Sequence, residues 1–218
     1  MRLDARAVVE RPAFTLDLAL TVEPGETVAL VGANGAGKST LLQALAGLVP
    51  LRDGHVRLGA QVLDDVAAGV HVPAELRRVG LVFQHHRVFP HLSALENVAF
   101  GLRAQGVPRH EARERAGEWL DRVGMLAHAD RAGARLSGGQ AQAGALARTL
   151  AAEPDVLLLD EPFAALDEAA RPQLHEVVRS YGMDGERPVV LVTHEPTDAR
   201  ALADRLVSVA AGRAVVPG

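Results

Sequence analysis

The chain has 218 residues, enough for one domain of ordinary size with a smaller appended lobe. Hydrophobic residues make up 48% and aromatic residues only 3%, so the core must be aliphatic. A formal net charge of −4 without a basic stripe argues against a nucleic-acid binder, and the absence of cysteine excludes disulfides, thiolate zinc sites and thiol nucleophiles. No apolar run approaches the roughly 18 residues that span a bilayer, and Met1-Arg2-Leu3-Asp4 opens no hydrophobic signal segment. Composition therefore predicts a soluble, cytoplasmic chain that reaches a membrane only through a partner.

In chain order, residues 14–20 alternate as a half-exposed strand does, and Pro24-Gly25-Glu26 turns the chain into the apolar strand 27–31. A helix is predicted from Ser39. Strands follow at 55–58, after an Asp53-Gly54 turn, and at 79–83, ending at Gln84. From about 91 to 150 the pattern turns helical: Ala112, Ala116, Trp119, Leu120 and Val123 share one face, with Arg and Glu opposite. Trp119 on that face is expected in the core. Strands return at 156–159, 189–192 and 205–209, with a helix over 171–181. The pattern predicts an α/β fold: a core from 1–84 and 150–218, interrupted by a helical subdomain at 85–149.

Three short stretches carry the chemistry. Gly32-Ala33-Asn34-Gly35-Ala36-Gly37-Lys38-Ser39-Thr40 fits G-x-x-x-x-G-K-[ST] between a strand and a helix. Its glycines let backbone N–H groups surround a β-phosphate at a positive helix end. Lys38 is expected to reach the β- and γ-phosphates, and Ser39 to offer its hydroxyl to Mg²⁺. Asp160 ends an aliphatic strand, where it would hold the same Mg²⁺ through water. Glu161 follows as general base or positioner of the attacking water. In Leu136-Ser137-Gly138-Gly139-Gln140, the start of a helix presents bare N–H groups and a hydroxyl, a phosphate clamp in which Ser137 can also act as an N-cap.

With these elements in this order, the chain resembles the ATP-binding subunits of ABC (ATP-binding cassette) transporters over nearly all of its length. The resemblance implies a P-loop NTPase core with a mainly parallel sheet, N-terminal antiparallel strands and an inserted helical subdomain. It also implies two copies that sandwich two ATP molecules head to tail, with Ser137 to Gln140 of one copy closing on the nucleotide of the other. Gln84 would sense Mg²⁺ and the attacking water, His194 would contact the γ-phosphate, and Asp167, in Ala165-Leu166-Asp167, would brace the partner's phosphate loop. The stretch from Glu75 to Leu92 resembles importer subunits. It is most like that of the molybdate importer, with sulfate, phosphate, polyamine and ferric-iron importers sharing much of it. Residues 87–100 would then be the docking place for a membrane permease, with Phe89, Pro90, Leu92 and Phe100 as apolar contacts and a solute-binding protein as an indirect partner; the same apolar residues read equally well as cover for the helical lobe. The chain would sit peripherally on the cytoplasmic face of the inner membrane.

Two features depart from the family. No aromatic residue stands near Ala7-Val8-Val9, where adenine usually stacks, and Phe14 lies close to the loop. After Gln140 the chain carries Ala141, Ala143 and Gly144 where basic or polar residues are common, so the clamp carries less positive charge. The chain also stops at Gly218, soon after its last strand, so an oxyanion-sensing C-terminal barrel is not expected. His85, His86 and His91 lack a fixed ligand spacing and read as a surface loop. Two other classes compete: a soluble ABC-type ATPase of nucleic-acid or ribosome maintenance, and a nucleotide-binding scaffold with little turnover. The first needs coiled coils or basic patches that the sequence lacks; Glu161 and His194 argue against the second.

Overall fold

The computed structural model describes residues 1–12, 14–84 and 88–215. Its packing divides into two compact units: Met1–Leu81 with Asp155–Asp160 and Gly182–Gly218, and Val82–Pro154 with Glu161–Tyr181. The second unit thus takes in Glu161–Tyr181, which the sequence division kept with the core.

The first unit holds two sheets. One has the order β2-β1-β4-β5-β6, from β1 (Leu3–Arg11), β2 (Phe14–Val22), β4 (Asp53–Leu58), β5 (Gln61–Asp65) and β6 (Val70–His71), with antiparallel neighbours throughout. The other has the order β11-β10-β3-β9-β8-β7, from β3 (Thr27–Val31), β7 (Val79–Val82), β8 (Val156–Asp160), β9 (Val189–Val192), β10 (Arg205–Ala210) and β11 (Arg213–Val215). Strands β10, β3, β9 and β8 pair in parallel. Every residue of β8 and β9 is buried, as expected for parallel strands covered on both faces. Leu3, Ala5, Ala7 and Val9 of β1 alternate inward, and with Leu16 and Leu18 they join the apolar side of helix α1 (Lys38–Leu45) in one aliphatic core.

A buried arginine that the sequence reading did not single out closes the far end of α1. Arg77 is 0% exposed and donates through Nη1 to the carbonyls of Ala44 and Leu45 and through Nε to that of Val72. Its Nη2 lies 2.5 Å from the Asp64 carboxylate, which also contacts Nδ1 of His71 at 2.9 Å. A cation on the last carbonyls of α1 complements the helix dipole and ties the helix to the β5–β6 hairpin. Breaking a buried pair costs about 3–5 kcal/mol. Arg77→Met should therefore lower the urea unfolding free energy by about 3 kcal/mol, His71 remaining beside Asp64. Arg78→Met, which removes an exposed pair with Asp155, should cost under about 1 kcal/mol. Equal losses in the two variants would contradict this view of Arg77.

The second unit is built on α2 (Ala94–Ala104), α3 (Arg109–Arg122), α4 (Gly138–Ala151) and much of α5 (Arg171–Asp184). Ser93 caps α2 by accepting from the Glu96 N–H at 3.1 Å. Burial alone would raise the Glu96 carboxyl, but hydrogen bonds and charge from Arg113 and Arg109 outweigh it and hold it below the ordinary glutamate value. Ala112, Ala116 and Leu120 of α3 are buried, as their spacing predicts. Trp119 is only half-buried rather than core: it stands edge-on to Tyr181, with ring centroids 6.0 Å apart, and Arg122 lies over its face. Its indole thus covers the rim of the helical layer. In α4, a Cβ added at Gly144 would meet nothing within 4 Å. Gly144→Ala should accordingly stabilise the protein by about 0.5–1 kcal/mol in urea titration, and a loss of stability would reveal a close contact there.

Candidate nucleotide site

The phosphate loop joins β3 to α1. A Cβ at Gly32 would fall 2.1 Å from the carbonyl oxygen of Val209 in β10, so no larger residue fits the start of the loop. Gly37, the N-cap of α1, has φ 104° and makes no side-chain cap. Only glycine takes that conformation without strain, and the first N–H groups of α1 stay directed into the loop. Phe14 packs beneath it, its ring 3.1 Å from where a Gly37 Cβ would stand. The nearest aromatic is thus a support for the loop; of the Ala7-Val8-Val9 trio, only Val8 is not fully buried.

Lys38 is 6% exposed and curls into its own loop, donating to the carbonyls of Gly32 at 2.8 Å and Ala33 at 3.0 Å. An ammonium has three donors, so this geometry leaves one for an anion seated in the loop. Ala36 N–H closes the turn onto the Ala33 carbonyl at 3.2 Å, while Asn34 and Gly35 are exposed at its tip. Ser39 Oγ donates to Asp160 Oδ1 at 3.1 Å, across 121 positions of sequence. Asp160 is 7% exposed at the end of β8, and Thr40 follows on the partly exposed side of α1. A hydroxyl and a carboxylate oxygen this close are hard oxygen donors of the kind that would suit Mg²⁺.

His194 follows β9 and is exposed, its Nε2 3.4 Å from Glu195 Oε1. With Val31, Gly32 and Thr193 it lines a cavity of about 550 Å³. Thr193 and Asp198, both buried, were not foreseen. The Thr193 hydroxyl lies 3.4 Å from Asp198 Oδ2 and accepts from the Glu195 N–H at 3.1 Å, which fixes the turn that carries His194.

In the second unit, Ser137 and Gln140 form a reciprocal capping box at the start of α4. Gln140 N–H donates to Ser137 Oγ at 3.3 Å, and Ser137 N–H donates to Gln140 Oε1 at 3.0 Å. Arg131 holds the same Oε1 at 3.1 Å. The capping box leaves the Gly138 and Gly139 N–H groups of the first turn outside the helix ladder. These residues, with Asp167 and His128, line a second cavity of about 440 Å³. Asp167 is exposed and accepts from the Ala170 N–H at 2.9 Å. Glu161 holds a left-handed backbone at φ 49° and belongs to this unit, as does Gln84, exposed at a bend after β7. His85 and His86 lie outside the described residues; His91 is exposed beside Phe89. Among the described residues, no group of three or more His, Cys, Asp or Glu side chains is disposed to hold a metal.

A family model described as ABC transporter matches residues 15–164. The chain belongs to the ABC transporter family. It is 47% identical over 215 residues to a molybdenum import ATP-binding protein of Mycobacterium tuberculosis, covering 97% of this chain and 58% of that protein. It is 45% identical to an Fe(3+) ions import ATP-binding protein of Streptomyces avermitilis, covering 100% of this chain and 60% of that one. The chain thus spans less than two thirds of the length of these relatives. Among solved structures it is similar to an ATP-binding cassette captured as a dimer in a post-hydrolysis state with ADP and Pi. That match has TM-score 0.85 and 28% identity, covering 99% of this chain and 97% of that one. The α/β cassette fold expected from the motifs is therefore the fold observed, and no described helix is long and apolar enough to cross a membrane.

Proposed function

We propose that the chain is the ATP-hydrolysing subunit of an importer, acting as a pair. The observation that carries this reading is the contact between Ser39 and Asp160 beside the inward-curled Lys38, which joins the phosphate loop to the strand-end carboxylate. Lys38 and the loop N–H groups bind the β- and γ-phosphates of ATP. Ser39 and Asp160, with Gln84, would hold Mg²⁺, which would supply charge to offset that developing on the transferred phosphoryl group. Glu161 accepts the proton of the attacking water or orients it; His194 contacts the γ-phosphate. Ser137, Gly138, Gly139 and Gln140 of one copy close on the nucleotide of the other, and Asp167 braces the partner's loop. The dimeric solved cassette supports this pairing.

The docking surface for the permease is assigned to the segment leading into α2. Asn97 is 1% exposed and holds it, accepting from the Phe89 N–H at 2.7 Å and donating to the carbonyls of Phe89 and Ser93 at 3.0 Å. Phe100 is 45% exposed, with its ring 4.6 Å from that of Phe89. An apolar pair held on a polar frame suits an apolar helix of a membrane partner. The cargo is a small ion: molybdate by the first relative, ferric iron by the second. The experiment is ATP-driven uptake by vesicles carrying the protein with its copurified permease, offered molybdate, sulfate, phosphate and ferric iron. Saturable uptake of one of these supports the reading. Copurification with RNA or ribosomes and no permease would replace it with the nucleic-acid or ribosome-maintenance class.

A further inference from the structure

Gln142 lies about one turn into α4 and is 0% exposed, an unusual place for an amide side chain. Both its ends are used by one short stretch of backbone. Nε2 donates to the carbonyl of Glu161 at 2.7 Å, and Oε1 accepts from the N–H of Ala165 at 2.8 Å. The orientation of the amide is fixed by its partners, since a carbonyl can only accept and an N–H only donate. The side chain thus bridges the two ends of the turn that starts at Glu161, whose backbone sits in the left-handed region at φ 49°. A glutamate leaves that region readily unless its surroundings hold it there. The same turn packs against the head of α4: a Cβ at Gly139 would stand 3.0 Å from the Ala165 carbonyl oxygen and 3.5 Å from Leu166.

From this geometry we infer that Gln142 is a positioning residue for hydrolysis. It fixes the backbone from which Glu161 extends and fastens it to the helix whose N-terminus carries Ser137, Gly138 and Gly139. Seating that N-terminus on a nucleotide and aiming the Glu161 carboxylate are then one movement, not two. The inference rests on the reading of Glu161 in hydrolysis given above, and it adds a residue that touches neither nucleotide nor water.

The test is a double-mutant cycle in the full-length protein, made from Gln142→Met, Glu161→Gln and the two combined. Single-turnover hydrolysis, ATP affinity and thermal midpoint are measured for each. Methionine keeps the length and volume of the glutamine but makes neither hydrogen bond. Gln142→Met is expected to lower the turnover rate at least tenfold while ATP affinity stays within threefold, and to add little to the loss already caused by Glu161→Gln. If Gln142→Met fails to fold, Gln142→Glu takes its place, because it keeps the acceptor for Ala165 and loses the donor to Glu161. Losses that multiply in the double variant, or a fall in affinity with turnover unchanged, would overturn the inference. Full turnover in Glu161→Gln alone would instead remove the reading on which it rests.

Discussion

Glu161→Gln should lower ATP turnover by about 100- to 10,000-fold while ATP affinity stays near that of the unmodified protein, the span expected when a general base is lost. Glutamine has nearly the volume of glutamate and tolerates the φ 49° backbone equally well, so the amide held by Gln142 and the packing of the turn should persist. What is lost is the carboxylate proposed to accept the water proton. With hydrolysis blocked, the ATP-bound pair should accumulate, and size-exclusion chromatography with ATP and Mg²⁺ should move the protein from monomer to dimer. Unchanged turnover would remove Glu161 from its assigned role. A large loss of affinity would assign it to binding.

Lys38→Ala acts at the other end of the reaction. The ammonium is held by the Gly32 and Ala33 carbonyls and is 6% exposed, so it meets an incoming triphosphate already desolvated and in place. A hydrogen bond to a charged group contributes about 1.5–3 kcal/mol, and Lys38 has one donor left for the phosphates. ATP affinity measured with a fluorescent analogue should therefore fall about 10- to 100-fold. The fold should survive, because α1 keeps Leu41, Leu42 and Leu45 in the core. Retained affinity would contradict the assignment of the loop.

Much of the first unit is legible in the sequence because parallel strands buried on both faces are written as unbroken aliphatic runs. The stretches 27–31, 156–159 and 189–192 declare themselves this way, and each lies within an observed strand. Strand β1 is harder to see: its inward face uses Leu3, Ala5, Ala7 and Val9, and alanine gives a weak strand signal among outward-facing Arg and Glu. Strand β5, Gln-Val-Leu-Asp-Asp, is half polar because Asp64 faces inward to Arg77. The phosphate loop was legible as a spacing, and Asp160 as the end of a run. Gln142, Arg77 and Asp198 were not. Each is a polar residue whose type suggests a surface, and only its partners, far along the chain or across a turn, show that it is interior. Trp119 fails in the opposite sense, since helical spacing names a face but not how deeply its edge is covered.

The central claim is that a nucleotide is gripped by two copies of the chain at once. A structure of the Glu161→Gln protein with ATP and Mg²⁺ measures this directly, through the distance from Ser137 Oγ of one copy to the γ-phosphate bound by Lys38 of the other. That distance should be about 3 Å, within hydrogen-bonding range. A Ser137 remote from every triphosphate, in a protein whose unmodified form hydrolyses ATP at full rate as a monomer, would contradict it.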